Sequence, residues 1–137
     1  YPALDVAAQN AERLNLTARA RLRASNWFSE VDGAFDLITC NPPYISDGDY
    51  RNLAPDVRNW EPRIALTPGS DGVAPYRVLA SDAPRVLKCG GALLAEFGVG
   101  QDREIATVFE DAGWESVSFV QDLTDRPRIL EAFYRCN

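Results

Sequence analysis

The residues with the clearest chemical potential are Asn41, Pro42, Pro43 and Tyr44, which follow the apolar run FDLITC at residues 35–40. Two consecutive prolines end a β-strand, because neither ring nitrogen can donate a hydrogen bond to a ladder. The Asn41 side chain offers an acceptor oxygen, and the Pro42 carbonyl offers a second one, since proline lacks only its N–H. Tyr44 adds a flat apolar face with a hydroxyl at its edge. Two acceptors held side by side by rigid rings would suit an NH2 group of a ligand.

Such a pair of acceptors can promote transfer of a group to an NH2 nitrogen. An amide or aryl amine nitrogen is a poor nucleophile because its lone pair is delocalised. Hydrogen bonds from both N–H groups to fixed acceptors can direct that lone pair at an electrophile, which is catalysis by positioning and preorganised dipoles. The sequence contains no histidine, which removes the usual general base, the serine and cysteine triads and most zinc sites, so no metal is expected. The alternative interpretation is a turn that merely ends a strand.

The elements that position this motif follow from the spacing of apolar residues. Helical spacing predicts helices over residues 3–14, 76–88 and 102–113. Pro84 should kink or shorten the second helix, and Asp102 and Gly113 should cap the third. Short apolar runs predict five strands, of which the one before Asn41 is expected to be buried: 21–25, 35–40, 92–97, 116–121 and 129–135.

The order of these elements indicates an α/β domain with a largely parallel sheet. The last two strands, joined by the turn TDRP at residues 124–127, should pair antiparallel. In open α/β sheets ligands bind beyond the carboxyl ends of the strands, which is where Asn41 stands. Residues 45–75 have little periodicity and are expected to form a long connection of the kind that serves as a binding loop or lid.

Composition restricts the class of protein. The 137 residues predict one domain, and the net charge of −6 argues against a nucleic-acid backbone as the main ligand. Cys40, Cys89 and Cys136 are odd in number and far apart, which favours reduced thiols in a cytosolic protein. No apolar run is long enough to cross a membrane, and no signal peptide is visible. Because position 1 is not methionine, the chain is expected to begin inside a longer protein.

Several segments together resemble one family of enzymes. NPPY matches the [ND]-P-P-[YFW] signature of S-adenosylmethionine-dependent methyltransferases that act on planar NH2 groups. More specific segments follow one another in the order NAERLNL, SNWF, FDLITCNPPYI, VRNWEPRIAL, GSDGVAPYR, LKCGGALLAEFGVGQ and QDLTDRPR. Over nearly the whole chain, the sequence resembles the glutamine methyltransferases that modify the Gly-Gly-Gln loop of peptide chain release factors.

The resemblance implies a role for each residue of the motif. Asn41 and the Pro42 carbonyl would hold the glutamine side-chain amide, Pro43 would stiffen the turn, and Tyr44 would pack against the amide. Glu61, with the proline after it, would belong to the wall over the active site and contact the substrate. The methyl donor would be S-adenosylmethionine, and the protein partner would be a release factor in the cytoplasm, with no membrane involved.

On the cofactor side, the resemblance implies that Asn26 and Trp27, together with Asn41, would contact the cofactor, with Trp27 lining the adenine pocket. The family usually has an acidic residue where Asn26 stands. Its glycine-rich cofactor loop and its N-terminal helical domain find no match in residues 1–137. The expected fold is therefore a partial class I, Rossmann-like methyltransferase sheet that lacks the first strands. Its strand at residues 35–40 should have a bare edge, and the isolated chain should bind S-adenosylmethionine weakly or not at all.

Two other functions stay open at the level of the sequence. An amino-methyltransferase of adenine or cytosine in DNA or RNA would use the same NPPY chemistry, although the acidic balance and the WEPRIAL segment count against it. A non-catalytic fragment that keeps only the scaffold is the alternative from another class. Separately, Glu96 at the end of a strand could be a buried hydrogen-bonded carboxylate with no part in catalysis.

Overall fold

The computed structural model describes residues 2–136 and divides the chain into two compact units, one ending at Asp32 and the other beginning at Gly33. In the first unit the predicted helix is present as α1 (Pro2–Arg13). Its half-buried positions are those expected from the helical spacing, namely Leu4, Ala7 and Ala11.

Residues 21–25 were predicted to form a strand, and this prediction is wrong, since they hold no regular secondary structure. An extended segment becomes a strand only when its backbone N–H and C=O groups find a neighbouring strand. No strand within residues 2–136 pairs with this segment.

The second unit holds a four-stranded sheet with helices between its strands. Along the chain, the secondary-structure elements of this unit follow in the order strand, three short helices, helix, strand, helix, strand, strand. The bounds are β1 (Phe35–Cys40), α2 (Asp47–Tyr50), α3 (Pro55–Trp60), α4 (Arg63–Leu66), α5 (Ala74–Asp82), β2 (Leu87–Glu96), α6 (Asp102–Asp111), β3 (Ser116–Gln121) and β4 (Pro127–Phe133).

The strands lie in the order β1-β2-β4-β3. β1 is parallel to β2 with Thr39 opposite Leu94, whereas β4 is antiparallel to both β2 and β3. The predicted antiparallel hairpin of the last two strands is confirmed. The sheet is mixed: β1, β2 and β3 run in one direction, as predicted for a largely parallel sheet, and β4 returns through the hairpin and inserts antiparallel between β2 and β3.

The core lies between one face of this sheet and helices α5 and α6. Alternate positions of β2 and β4 point into it, as the two-residue period of a strand requires. Trp114 closes one end, where its indole N–H donates to the Ala80 carbonyl at 2.9 Å. The buried set is Tyr76, Leu79, Leu93, Ala95, Phe97, Ile105, Phe109, Leu130 and Ala132.

β1 forms at the predicted residues but is not buried as predicted. Phe35 is 41% exposed and Leu37 is 50% exposed. β1 is the first strand of the sheet order, so no strand in the part of the chain that the structure describes pairs with its outer edge. The prediction of a bare edge on this strand is therefore confirmed, and the exposure of its apolar side chains has the same cause.

Pro84 ends helix α5, whereas the Gly90-Gly91 pair does not end strand β2. α5 ends at Asp82, ahead of Pro84, and a 3-10 turn continues to Arg85, so the predicted shortening is confirmed. The Gly90-Gly91 pair does not interrupt a strand, because β2 runs through it from Leu87. Gly91 fits there for a steric reason: a Cβ on it would lie 2.9 Å from the Lys88 carbonyl oxygen and 3.1 Å from that of Phe35.

Of the two predicted caps of α6, the C-terminal one is confirmed and the N-terminal one is wrong. Gly113 follows the helix with φ 84°, and its N–H bonds to the Glu110 carbonyl at 2.9 Å. The N-terminal cap is Gln101 rather than Asp102, because the backbone N–H of Ile105 reaches the Gln101 carbonyl at 3.0 Å. Gln101 makes no side-chain cap to its own helix, so its amide is available to other segments.

The cysteines correct a sequence prediction. Cys89 and Cys136 form a disulfide with a Cα–Cα distance of 5.3 Å, so the prediction of reduced thiols is wrong for these two. Hydrogen bonds from Gly90 to Tyr134 and from Tyr134 to Gly91, both 2.8 Å, hold the chain after β4 alongside β2. That pairing brings together two cysteines 47 residues apart, which sequence spacing does not reveal. Cys40 is a free thiol whose pKa is raised by burial.

A search of residues 2–136 finds no helix with the length and apolar character needed to span a membrane.

Candidate functional site

Asn41 is the first residue after β1 and stands at the carboxyl end of that strand. Its side chain is exposed and borders two cavities of the second unit. The larger, of about 380 Å³, lies at the ends of β1 and β2 and is lined by Thr39, Cys40, Asn41, Leu94, Glu96 and Ile129. The smaller, of about 160 Å³, is lined by Asn41, Pro42, Tyr44, Ile45, Ala65 and Leu66.

The two predicted acceptors are not used within the fold. Neither the Asn41 side chain nor the Pro42 carbonyl forms a hydrogen bond with another residue between positions 2 and 136. Backbone and amide oxygens in folded proteins are normally paired with protein or water. Both residues line the smaller cavity, and acceptance of a ligand's hydrogen bonds by these oxygens stays a prediction.

Tyr44 joins this motif to the end of β2. Its hydroxyl donates to Glu96 Oε1 at 2.9 Å. Burial raises the pKa of the Tyr44 hydroxyl, and the hydrogen bond to the Glu96 carboxylate raises it further. The prediction that Glu96 is a hydrogen-bonded carboxylate is confirmed, although Glu96 also lines the larger cavity beside Asn41.

The larger cavity has an acidic character. Glu96 is its one charged lining residue, and the other lining groups are apolar, hydroxyl, thiol or amide. No group of three or more potential metal ligands occurs in the described residues 2–136. The half-buried Glu96 carboxylate makes this cavity electrostatically complementary to a group that carries positive charge.

Tyr76 supports the same strand end from the core. Its side chain is fully buried and donates to the Glu96 carbonyl at 2.5 Å. Burial raises the pKa of the Tyr76 hydroxyl well above its ordinary value. The segment DGVAPY therefore helps to fix the backbone that carries Glu96.

Gln101 holds the chain immediately after the Asn-Pro-Pro sequence, a role that sequence reasoning missed. Its Nε2 donates to the Tyr44 carbonyl at 2.9 Å, while its Oε1 accepts from the Gly98 N–H at 2.8 Å. Two glycines leave room for this arrangement. A Cβ on Gly72 would lie 2.4 Å from the Tyr44 carbonyl oxygen, and a Cβ on Gly98 would lie 2.9 Å from Gln101 Oε1. In the sequence, these residues stood out only as part of the segments GSDGVAPYR and LKCGGALLAEFGVGQ, which carry the family resemblance.

The WEPRIAL segment forms one wall of the smaller cavity, through Ala65 and Leu66. It is tied to the motif by a hydrogen bond of 3.0 Å from the Ile45 N–H to the Leu66 carbonyl. Arg63 strengthens the connection with an ion pair of 2.8 Å to Asp47. This wall is built by the second half of the segment.

Glu61, which the resemblance placed at the substrate, is exposed at the end of α3. It lines neither of the two cavities that Asn41 borders. Its contact with substrate stays a prediction, and the structure offers Ala65 and Leu66 as the nearer wall.

Asn26 and Trp27 lie in the first unit, in a tight turn held by Ser25. The Ser25 hydroxyl donates to the Trp27 carbonyl at 2.8 Å and accepts from the Glu30 N–H at 3.0 Å. Trp27 has φ 53°, which is a strained conformation for a bulky side chain and often marks a functional turn. Within this unit Asn26 lines a cavity of about 660 Å³, and Trp27 does not. Their contact with a cofactor stays a prediction.

No family model matches the chain. Over 95% of its length it is 48% identical to the release factor glutamine methyltransferase of Cereibacter sphaeroides, of which it covers 47%. It is also 42% identical, over 93% of its length, to the release factor glutamine methyltransferase of Caulobacter vibrioides, of which it covers 45%. The resemblance predicted from the motifs is confirmed, and the chain spans about half the length of these curated relatives.

The fold agrees with solved methyltransferase structures. The crystal structure of a methyltransferase from Pyrococcus furiosus superposes with a TM-score of 0.68, covering 97% of this chain and 58% of that chain at 21% identity. An identity this low shows the fold alone. The predicted partial, Rossmann-like α/β fold of a class I methyltransferase is confirmed.

Proposed function

We propose that this protein transfers a methyl group to the side-chain amide nitrogen of the glutamine in the Gly-Gly-Gln loop of peptide chain release factors. One observation carries the proposal: Asn41 borders two cavities at the end of β1, and its amide oxygen and the Pro42 carbonyl are both free to accept hydrogen bonds. Release factor glutamine methyltransferases 48% and 42% identical to the chain support the same substrate.

The smaller cavity suits the substrate amide. Its volume of about 160 Å³ leaves room for the amide end of a side chain. Asn41 and the Pro42 carbonyl would each accept one N–H of the carboxamide, while Tyr44, Ala65 and Leu66 would pack against its apolar stem. Fixing both N–H groups turns the nitrogen lone pair towards the larger cavity on the other side of Asn41.

The larger cavity suits the donor end of the reaction. S-adenosylmethionine, when bound, supplies a methyl carbon on a positively charged sulfonium, which the acidic lining provided by Glu96 complements. Asn41 would then border both donor and acceptor. We propose that Asn26 and Trp27 contribute further cofactor contacts, as the resemblance implies.

Positive charge would move from the donor sulfur to the substrate nitrogen during transfer, and the site must allow that nitrogen to lose a proton. The amide nitrogen would give its lone pair to the methyl carbon as the bond between that carbon and the donor sulfur breaks, and the electron pair of the broken bond would stay on sulfur as a neutral thioether. The nitrogen would become positively charged and would have to lose a proton. Water in the open smaller cavity can take that proton, since a protonated amide is a strong acid. The oxygens of Asn41 and Pro42 stabilise the positive charge while it develops.

A release factor as partner places the reaction in the cytoplasm, which we propose as the location of the protein. In this structure Cys89 and Cys136 are joined by a disulfide. Neither residue lines the two cavities that Asn41 borders, so the proposed chemistry does not depend on that disulfide.

The Asn41→Ala variant of the full-length protein tests the function. Methyl incorporation from S-adenosylmethionine into a release factor should fall by about 100-fold or more, as for loss of a preorganised transition-state dipole. The matched control is Asn59→Ala, because Asn59 is also exposed but lies on α3. Both variants should unfold at the wild-type temperature, since neither side chain is bonded within the fold. Wild-type protein that methylates adenine in DNA, or that methylates nothing, would refute the proposal.

A further inference from the structure

We infer that Gln101 is a positioning residue for methyl transfer. By hydrogen-bonding the backbone at Tyr44, it fixes the position of the two acceptor oxygens of Asn41 and Pro42. The inference rests on the proposed function. Gln101 touches neither cavity that Asn41 borders, so it would act through the backbone of the Asn-Pro-Pro-Tyr segment rather than on the substrate.

Gln101 forms hydrogen bonds through both ends of its side-chain amide. Nε2 donates to the Tyr44 carbonyl at 2.9 Å, and Oε1 accepts from the Gly98 N–H at 2.8 Å. The side chain thus bridges the loop after β1 and the turn after β2. Tyr44 in that loop lies 57 positions from Gln101 in the chain, and Gly98 in that turn lies three positions from it. The amide of a glutamine side chain can donate at its nitrogen and accept at its oxygen in this way.

The partners of Gln101 are themselves fixed. Its backbone caps α6, because Ile105 N–H bonds to its carbonyl at 3.0 Å. Gly72 packs so closely that a Cβ there would lie 2.6 Å from Gln101 Nε2 and 2.4 Å from the Tyr44 carbonyl oxygen. A third segment therefore closes over the bridge and leaves the Tyr44 carbonyl little room to move.

This geometry connects α6 to the acceptor oxygens. The Pro42 carbonyl lies two residues before Tyr44, and proline restricts the backbone between them. Because the Pro43 ring fixes φ, one of the torsions between the two carbonyls, part of a displacement of the Tyr44 carbonyl is passed to the Pro42 carbonyl. Gln101 should accordingly affect the rate of transfer more than the binding of the donor.

Two substitutions separate the two ends of the bridge. Gln101→Met keeps the length of the side chain and removes both hydrogen bonds. Gln101→Glu, ionised at neutral pH, still accepts from Gly98 but can no longer donate to the Tyr44 carbonyl. The matched controls are Gln121→Met and Gln121→Glu, because Gln121 is exposed at the end of β3 and bonds no other side chain.

The measurements are kcat and KM with a release factor, and amide hydrogen exchange at Gly98, all in full-length protein below its unfolding temperature. Both Gln101 variants should lower kcat by about 10- to 100-fold, the scale of an ångström of misplacement. KM for S-adenosylmethionine should stay within about twofold. Gly98 should lose exchange protection in Gln101→Met and keep it in Gln101→Glu.

Each outcome decides the inference. An active wild type with unchanged kcat in Gln101→Glu, or with equal losses in the Gln121 variants, would overturn the role of Gln101 and leave the proposed function standing. An inactive wild type would overturn both. If Gln101→Met fails to fold, Gln101→Glu carries the test, and failure of both to fold would make Gln101 a residue of the fold rather than of the reaction.

Discussion

At the scale of single residues, the site depends on which polar groups the fold uses and which it leaves free. Asn41 and the Pro42 carbonyl have no partner within residues 2–136, whereas the Tyr44 hydroxyl is bonded to Glu96. Tyr44 therefore does more than present a flat face, as its residue type predicted. It fixes the motif to the end of β2 and orients the carboxylate that borders the larger cavity.

The Tyr44–Glu96 bond can be measured by a double-mutant cycle with Tyr44→Phe and Glu96→Gln. We expect a coupling free energy of about 1–3 kcal/mol in urea unfolding, the range for a partly buried hydrogen bond to a charged group. Tyr134→Phe serves as the control, because its hydroxyl bonds no residue in the described range. A coupling indistinguishable from zero would show that the bond of 2.9 Å contributes nothing to the folded state.

At the scale of elements, turns outside the site are fixed by single polar side chains. The β3–β4 turn is organised by Asp122, whose Oδ1 accepts from the Thr124 hydroxyl at 2.6 Å and from its N–H at 2.7 Å. These bonds lower the pKa of Asp122 from its ordinary value of 3.8 to about 2. The turn permits the close antiparallel pairing that the sequence predicted.

The stability of this hairpin should depend on acid in a defined window. Because the folded pKa of Asp122 is depressed, the carboxylate contributes its full stability above about pH 4 and loses it as the pH falls through about 2. Hydrogen exchange of the Thr124 amide between pH 5 and 2 should show the loss. Asp122→Asn, which accepts but does not titrate, should remove this pH dependence, and Asp125→Asn should keep it. The same acid response in Asp122→Asn would contradict the assignment.

At the scale of the whole chain, one edge of the sheet stands out. The outer edge of β1 pairs with no strand among residues 2–136, and its side chains Phe35 and Leu37 are substantially exposed. Unpaired backbone groups beside apolar side chains are a template for another chain. The loop that carries Asn41 begins at the end of this strand, so the edge also bears on the stability of the site.

The 137-residue chain should therefore self-associate through β1. Sedimentation velocity should show an average mass that rises with concentration for the wild type, and Leu37→Lys should shift the association to concentrations about tenfold higher, because a buried lysine opposes edge pairing. Leu123→Lys is the control, since Leu123 is fully exposed in the β3–β4 turn and lies on no strand edge. A wild type that stays monomeric at all concentrations would refute association through β1.

The sequence by itself determined the local features. Apolar spacing located α1, α6, β1 and the final hairpin, since these depend on periodicity and on turn residues close in the chain. The order apolar strand, asparagine, two prolines, aromatic ring was enough to predict an acceptor for an NH2 group. A resemblance carried by ordered motifs supplied the family and, with it, the substrate class that we propose, which no composition argument could.

The tertiary structure decided what depends on distant neighbours. It left residues 21–25 without a strand partner, exposed β1 at an edge and joined Cys89 to Cys136. It also brought Gln101 to the Tyr44 carbonyl across 57 positions, with Gly72 packed against both. Pairing, burial and contact are properties of two segments at once, so a pattern read along one segment cannot fix them.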